Sequence, residues 1–433
     1  MLTRLLTITL ACLLFLPAAL RAERVIDIDI TDAAIRKVNL AVPWFQDKNL
    51  APGEIQQSGK KMADLLSRSL EFHGFIDVVP PWEFGEASRE AEWARLNVSY
   101  YINGYYQMDG GQLTMEMRLV EVNSGRMILG KRYRDRVSRQ GKMIRKFCDQ
   151  VILKLSGLSG ISASMITFVA DSSGHKEIYM TDVLGDNIRQ ITKHRHMAIS
   201  PRLSPDGNKL LYTSYHRGNP NLYLIDFKKS AKLTRAISRR PGVNYAPSWA
   251  PDGRSLVLTL SKDGNPDLYR LNLAGEVLAR LTRNSGINVS ASFSPDGKQL
   301  AYVSDRSGGP QIYIMNMASG HSRRLTYEGM ENTTPSWSPD GKWIAYTCRA
   351  EGTYHIFKTL AAGRSRPQQL TMAWGSHESP TWSPDGRQIA FSRKRGENNQ
   401  LCAMNADGSG QRVLFSMAGN LSAPQWSKRL NLY

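Results

Sequence analysis

Phe293 to Asn316 read "FSPDGKQLAYVSDRSGGPQIYIMN", and near-copies of this phrase return along the chain. Its "SPDG" fits a type I hairpin turn, with Ser first, Pro fixing φ at the second position, Asp third and Gly accepting positive φ at the fourth. The turn joins a strand ending at the aromatic (A) to a second strand (B). A second turn, "RSGGPQ" here and "HRGNPN" or "KDGNPD" in other copies, leads into a third strand, C. A fourth, D, ends each unit as "RQIT", "AKLT", "ARLT", "RRLT", "QQLT" or "RVLF".

The strand-A positions before Ser/Ala-Pro-Asp-Gly are Leu203, Trp249, Phe293, Trp337 and Trp382, at intervals of 46, 44, 44 and 45 residues, and Trp426 starts a shortened sixth copy, "WSKRL". Strand C carries Tyr179, Tyr223, Tyr269, Tyr313 and Phe357, with Cys402 in the sixth place. Four short strands per repeat of this length indicate a β-propeller, one blade per repeat. The region opens with strands B, C and D ("MITFVADSS", "EIYMTD", "RQIT") and closes with a lone strand A, "SAPQWS". The last strand should therefore complete the first blade, closing a ring of six and removing exposed sheet edges. Because the tryptophans and SPDG aspartates recur in every copy, a wedge or turn role accounts for them better than catalysis does.

Before about Gly160 the repeat is absent. "VNLAVPWF" reads as a strand, "GEIQQSGKKMADLLSRSLEF" as an amphipathic helix, "FIDVV" as a short strand, and residues 98–134 as three strands joined by Gly-containing hairpins. "QGKMIRKFCDQVILKLSG" is a closing helix with a glycine stop. The expected fold is thus an α/β N-terminal domain, a mixed sheet with two to three helices, followed by an all-β six-bladed β-propeller closed by the C-terminal strand. The expected boundaries are a cleaved signal peptide at 1–22, the α/β domain at 23–160 with a flexible segment 23–32, and the propeller at 161–433.

The leader reading rests on Arg4, an apolar run from Leu5 to Leu16 and small residues before Ala22, a run shorter than the ~20 apolar residues that span a bilayer. It implies export to a periplasm as a soluble chain. Without Arg4 and Arg21, 54 basic side chains face 38 acidic ones, a net charge of +16. Behind a leader this points to acidic protein faces or envelope polyanions rather than nucleic acid, with solubility alone an equal reading. Cys148, Cys348 and Cys402 remain, with no CxxC pair, so neither a disulfide scaffold nor a zinc site is expected. "HRH" at His194 to His196 lacks a third ligand; no metal and no cofactor are expected.

On these features the chain resembles the TolB family, periplasmic components of the Tol-Pal system. The matching residues are the "WSPDG…IY.MN…RLT" blades together with "VNLAVPWF", "ADLLSRSLEFHGFIDVV", "YYINGYYQ" and "LVEVNSG". One departure lies at the junction, where "LSGLSGISASMITFV" lacks the phenylalanine and arginine expected of the family there. The resemblance implies a non-enzymatic, monomeric adaptor with two partners. One is Pal, the peptidoglycan-associated lipoprotein, bound at the propeller channel mouth and tying the chain peripherally to the outer membrane. The other is TolA, reached through the N-terminal segment, the whole supporting outer-membrane integrity and constriction at cell division.

For TolA the segment is "ERVIDIDITD", in which Val25, Ile26, Ile28 and Ile30 interleave with polar residues, as a strand added to a sheet edge would or as an ordinary edge strand of its own domain would. For Pal the mouth is formed by the D-to-A and B-to-C loops. The candidates are Asn244, Asn288, Asn332 and His377, five residues before the strand-A aromatic, with Arg240, Arg283, Arg306 and Arg349 around them. The asparagines read equally as turn caps and as contacts, whereas His377 breaks the repeat. No catalytic residue is assigned. The alternative, a propeller-type periplasmic enzyme or a substrate-gating module of a peptidase or glycan-active enzyme, would need features not found. There is no G-x-S-x-G elbow, only seven residues follow Trp426, and Glu331 and Glu378 are scattered acids rather than a pair.

Overall fold

The computed structural model describes residues 37–51, 56–84, 93, 95–229, 233–283, 285–363 and 365–428. The leader at 1–22 and Val25, Ile26, Ile28 and Ile30 lie outside the described residues.

The N-terminal domain runs β1 (Val38–Ala41), β2 (Gln46–Asp47), α1 (Gln57–Glu71), β3 (Ile76–Val79), α2 (Pro81–Phe84), β4 (Tyr100–Asp109), β5 (Gln112–Glu121), β6 (Met127–Arg136) and α3 (Gln140–Ser156). The sheet is mixed, in the order β3-β1-β4-β5-β6, with β1 parallel to both neighbours and β4 to β6 an antiparallel meander. Met62, Ala63, Leu66 and Leu70 form the buried stripe of α1; Met143, Ile144, Phe147, Val151 and Leu155 form that of α3. Both stripes share one core with Leu40, Phe45, Ile102 and Tyr106. Gly104 is required where β4 passes Phe45, since a Cβ there would lie 2.3 Å from the buried ring. Gly157 ends α3 at φ 68, its N–H donating to the Leu153 carbonyl.

The propeller is six four-stranded antiparallel sheets. Blade one joins Leu421–Trp426 to Met165–Ala170, Glu177–Asp182 and Arg189–Gln190, with Leu421 opposite Ala170 and Trp426 opposite Ile166, so the last strand closes the ring. Blades two to six begin with their A strands at Ala198–Leu203, Asn244–Trp249, Asn288–Phe293, Glu331–Trp337 and Ser376–Trp382. The tryptophans are the expected wedges: Trp249 Nε1 donates 2.9 Å to the Arg202 carbonyl of the blade before it, and Trp382 does the same to Ser336 at 3.1 Å. In the turns, Ser294 Oγ donates 2.6 Å to Asp296 Oδ1, which also accepts the Lys298 N–H, and Gly297 takes φ 72.

Each A strand also carries a bulge that the repeat did not announce. Ser200, Ala246, Ser290, Thr334, Ser379 and Ala423, none of them glycine, sit at φ 49 to 57, and the register with strand B shifts across each. Such a conformation costs about 1 kcal/mol or more per residue; it bends the innermost strand around the central channel.

The two domains meet beside the SPDG turn of blade six. Gln388 Nε2 donates 2.7 Å to the Phe72 carbonyl, Arg412 donates 2.6 Å to Gln388 Oε1 and lies 4.9 Å from the Phe72 ring, and Arg387 stacks 4.9 Å over Phe75. His73 is buried: Nδ1 donates to the Ser69 carbonyl and Nε2 accepts the Ile161 N–H at 3.0 Å. Burial, with Arg387 nearby, pushes its pKa down to about 4, matching this neutral tautomer. Arg68 pairs with Asp186 and Arg145 with Asp182, each at 3.0 Å. At the junction Asp149 accepts the Ser162 N–H at 2.8 Å. These contacts, not the phenylalanine and arginine missing from the junction, hold the domains together.

Candidate functional site: the loop face of the propeller

Strand D hands over to strand A on the face where B turns into C, so two loops per blade build one end of the channel. The residue before strand A packs on its own blade's B-to-C loop: Tyr215 N–H donates to the Met197 carbonyl, and Asp305 N–H to that of Ile287. The SPDG turns lie on the opposite face.

Asn244, Asn288, Asn332 and His377 are all fully buried. They do not line the mouth; they hold it from beneath. Asn288 Nδ2 donates 3.0 Å to Asp267 Oδ1, the first residue of strand C in the preceding blade, and Thr282 Oγ1 donates 2.6 Å to the same oxygen. Asn332 and Thr326 repeat this on Gln311 Oε1 at 2.9 and 2.8 Å. Asn244 accepts from Ser238 Oγ at 2.6 Å and donates to the Arg240 carbonyl at 2.7 Å. Each asparagine thus staples a blade to its predecessor through groups that would be costly to leave unpaired in the interior. Direct partner contact by these side chains is excluded in this conformation by their burial.

The fourth of these positions is different. His377 stacks on His355 with ring centroids 5.6 Å apart, and both stand where other blades have an amide and its acceptor. Burial and the neighbouring imidazole push the His377 pKa down to about 4, so the pair is neutral.

The predicted arginines divide. Arg240 donates 2.8 Å each to Ser238 Oγ and the Gly275 carbonyl, a structural clamp. Arg306 remains exposed while donating 2.7 Å to Tyr302 Oη and 3.2 Å to Asn288 Oδ1, over the Tyr313 ring at 4.5 Å. Arg349 pairs with Glu331 at 2.8 Å, which holds that carboxyl below its usual range. Arg283 is exposed and has no ion partner among the described residues, as do Arg217, Arg239, Lys394 and Arg395. The stacked His194 and His216, 4.6 Å apart, are also held neutral, chiefly by burial. No cluster of three or more His, Cys, Asp or Glu fit to hold a metal occurs among the described residues.

Sequence reading missed the exposed apolar side chains of this face. Tyr327, Met330, Met372 and Trp374 are 69 to 78% exposed, and Met197 and Ile287 about half. All six lie in D-to-A loops and make up half of the exposed large apolar residues among those described. The available signal was a departure from the repeat: "YEGM" and "MAWG" stand where the fourth blade has "RNSGI". Aromatic, Met and Arg side chains grouped on one face are the composition of a protein interface core.

Fold and face together define a six-bladed propeller capped by an α/β domain. The chain belongs to the TolB family: the model of the TolB beta propeller domain matches residues 152–430 and that of the TolB amino-terminal domain residues 26–128. A Tol-Pal system protein TolB of Desulfotalea psychrophila is 44% identical over 229 residues, 53% of this chain and 51% of that protein. One of Desulfosudis oleivorans is 38% identical over 251 residues, 55% and 56% of the two chains. The chain spans about half the length of the curated relatives it matches. The crystal structure of TolB from Acinetobacter baumannii superposes with a TM-score of 0.79 at 25% identity, covering 90% of this chain and 97% of that one. No described helix is long and apolar enough to cross a membrane.

Proposed function

We propose that this chain is the periplasmic, non-enzymatic TolB adaptor of a Tol-Pal system, docking Pal on the D-to-A loop face and TolA through the segment 23–32. The observation that carries the reading is the grouping of Tyr327, Met330, Met372 and Trp374 with the ion-unpaired Arg239 and Arg283 on one face. Aromatic anchors supply desolvation energy, and the free cations steer an acidic partner surface. The buried asparagine staples make the platform rigid, so little ordering entropy is lost on docking.

The two partners are coupled in this reading. The N-terminal domain is bolted to the far side of blade six by Phe72, Gln388 and Arg412, so occupancy of the loop face can bias whether segment 23–30 packs on the domains or is free for TolA. Pal anchors the assembly peripherally at the outer membrane, and the switch serves membrane integrity and constriction at division. The adaptor acts as a monomer.

The test is calorimetric titration of the protein from Glu23 onward with the soluble domain of Pal from the same organism, and separately with the TolA domain. Saturable binding of both is expected, with TolA binding lost on removal of residues 23–32 and Pal binding kept. No binding of Pal by the unaltered protein overturns the reading.

A further inference from the structure

The channel holds a second feature, away from the docking loops. A cavity of about 440 Å³ is enclosed by the A strands and bounded by the SPDG prolines, among them Pro205, Pro251 and Pro295. No residue of the N-terminal domain lines it. The side chain just before each strand-A aromatic or leucine faces the channel, giving a ring of Arg202, Ser248, Ser292, Ser336, Thr381 and Gln425. Five are small or neutral; only blade two places a charge.

Arg202 has no ion pair with a carboxylate among the described residues. None of the lining residues is acidic, and among the described residues the side chain makes one hydrogen bond, from Nη1 to the Pro201 carbonyl at 2.9 Å. The side chain is half-buried in the channel wall, and burial lowers its pKa to about 10. It stays charged at neutral pH. A half-buried guanidinium without an ion partner among the described residues is costly, and a bound anion offsets that cost. The hydroxyls of Ser248, Ser292 and Ser336 make no hydrogen bond to other described residues, leaving donors around the same axis, and Lys428 stands at the cavity edge as a second cation.

We infer that this cavity is a binding site for a compact oxyanion, a carboxylate or phosphate group, gripped by the Arg202 fork and oriented by the serine hydroxyls. A guanidinium matches either anion bidentately, and the cavity volume suits a small ligand. A site specialised at one blade of a repeated ring is what breaking the repeat with Arg202 produces. It does not depend on the docking reading above, because it uses neither the D-to-A nor the B-to-C loops.

The test is calorimetry and tryptophan fluorescence of the intact protein with inorganic phosphate and with succinate, each against sodium chloride at matched ionic strength; Trp249 and Trp426 line the cavity and report occupancy. Saturable binding of at least one anion below about 10 mM is expected. Arg202→Ser, which installs the side chain of blades three to five, should weaken it at least about tenfold with an unchanged circular dichroism spectrum. If that variant is poorly folded, Arg202→Lys keeps the charge without the fork and should still bind, several-fold more weakly. Phosphate without succinate, or the reverse, identifies the source of the oxyanion. Absence of saturable binding by both anions, or unchanged affinity in a folded Arg202 variant, overturns the inference.

Discussion

The two faces of the propeller are built from the same repeat and spend it differently. On the SPDG face four of the five turns consume their own polar groups: Asp206, Asp296, Asp340 and Asp385 each accept the hydroxyl of the serine two residues earlier and the N–H two residues later. That local closure fixes the sequence of the turn and leaves it little to offer a partner. On the D-to-A face the polar work is done below the surface, by Asn288 on Asp267 and Asn332 on Gln311, so the loop tips are released from it. They are free to carry Tyr327, Met372 and Trp374.

The largest effect expected is on the ring that both faces share. Deleting residues 422–433 removes the strand paired with Met165–Ala170, and thermal unfolding of the propeller should become broader and shift to lower temperature than in the parent, as followed by circular dichroism. A retained sharp melt would show that five complete blades suffice. Next comes the difference between faces. Tyr327→Ala with Trp374→Ala should weaken Pal binding by about 30-fold or more without lowering the melting temperature, since hot-spot truncations cost about 2 kcal/mol or more. Asp296→Asn with Asp340→Asn on the opposite face should leave binding unchanged. Equal losses from the two pairs would erase the distinction.

A staple should behave in the opposite way to a loop tip. Asn288→Ala leaves buried Asp267 with one donor fewer and should cost about 1–3 kcal/mol of stability in urea unfolding. Pal binding should persist at temperatures where the variant stays folded. The smallest effect concerns the imidazole staple. His377 holds its folded pKa at about 4, below the 6.5 of an unfolded histidine, so the unfolded chain takes up a proton that the folded one refuses as pH falls between these values. Stability from this group is complete above about pH 6.5 and is lost toward pH 4. His377→Asn, which restores the residue of blades three to five, should melt progressively higher than the parent across that window and alike above it; parallel curves would dismiss the device.

Legibility in the sequence followed the range of the interactions. The SPDG hairpins, the tryptophan wedges and the closing strand were readable because each rests on local turn chemistry or on counting strands. The strand-A bulges were not: Ser200, Thr334 and Ser379 take left-handed backbone without the glycine that usually signals it. The role of the asparagines stayed open because their partners lie 21 residues earlier, Asp267 for Asn288 and Gln311 for Asn332, at strand starts with no reason to stand out. Four of the eight mouth candidates, Asn244, Asn288, Asn332 and His377, lie buried at the starts of the A strands, beneath the loop tips. Tyr327 and Trp374 were overlooked because an apolar residue in one copy of a loop resembles drift until its exposure is known.

The closing strand also sets a schedule for folding. Ser427 Oγ accepts the Met165 N–H, a bond spanning 262 residues of chain. Blade one cannot form as a four-stranded sheet until nearly all of the chain is present, whereas blades two to six each contain their own four strands. Contacts of such separation form slowly. A chain still being delivered thus carries an unpaired edge at each end of the unfinished ring, and holding those edges apart from other chains is the task its folding environment has to meet.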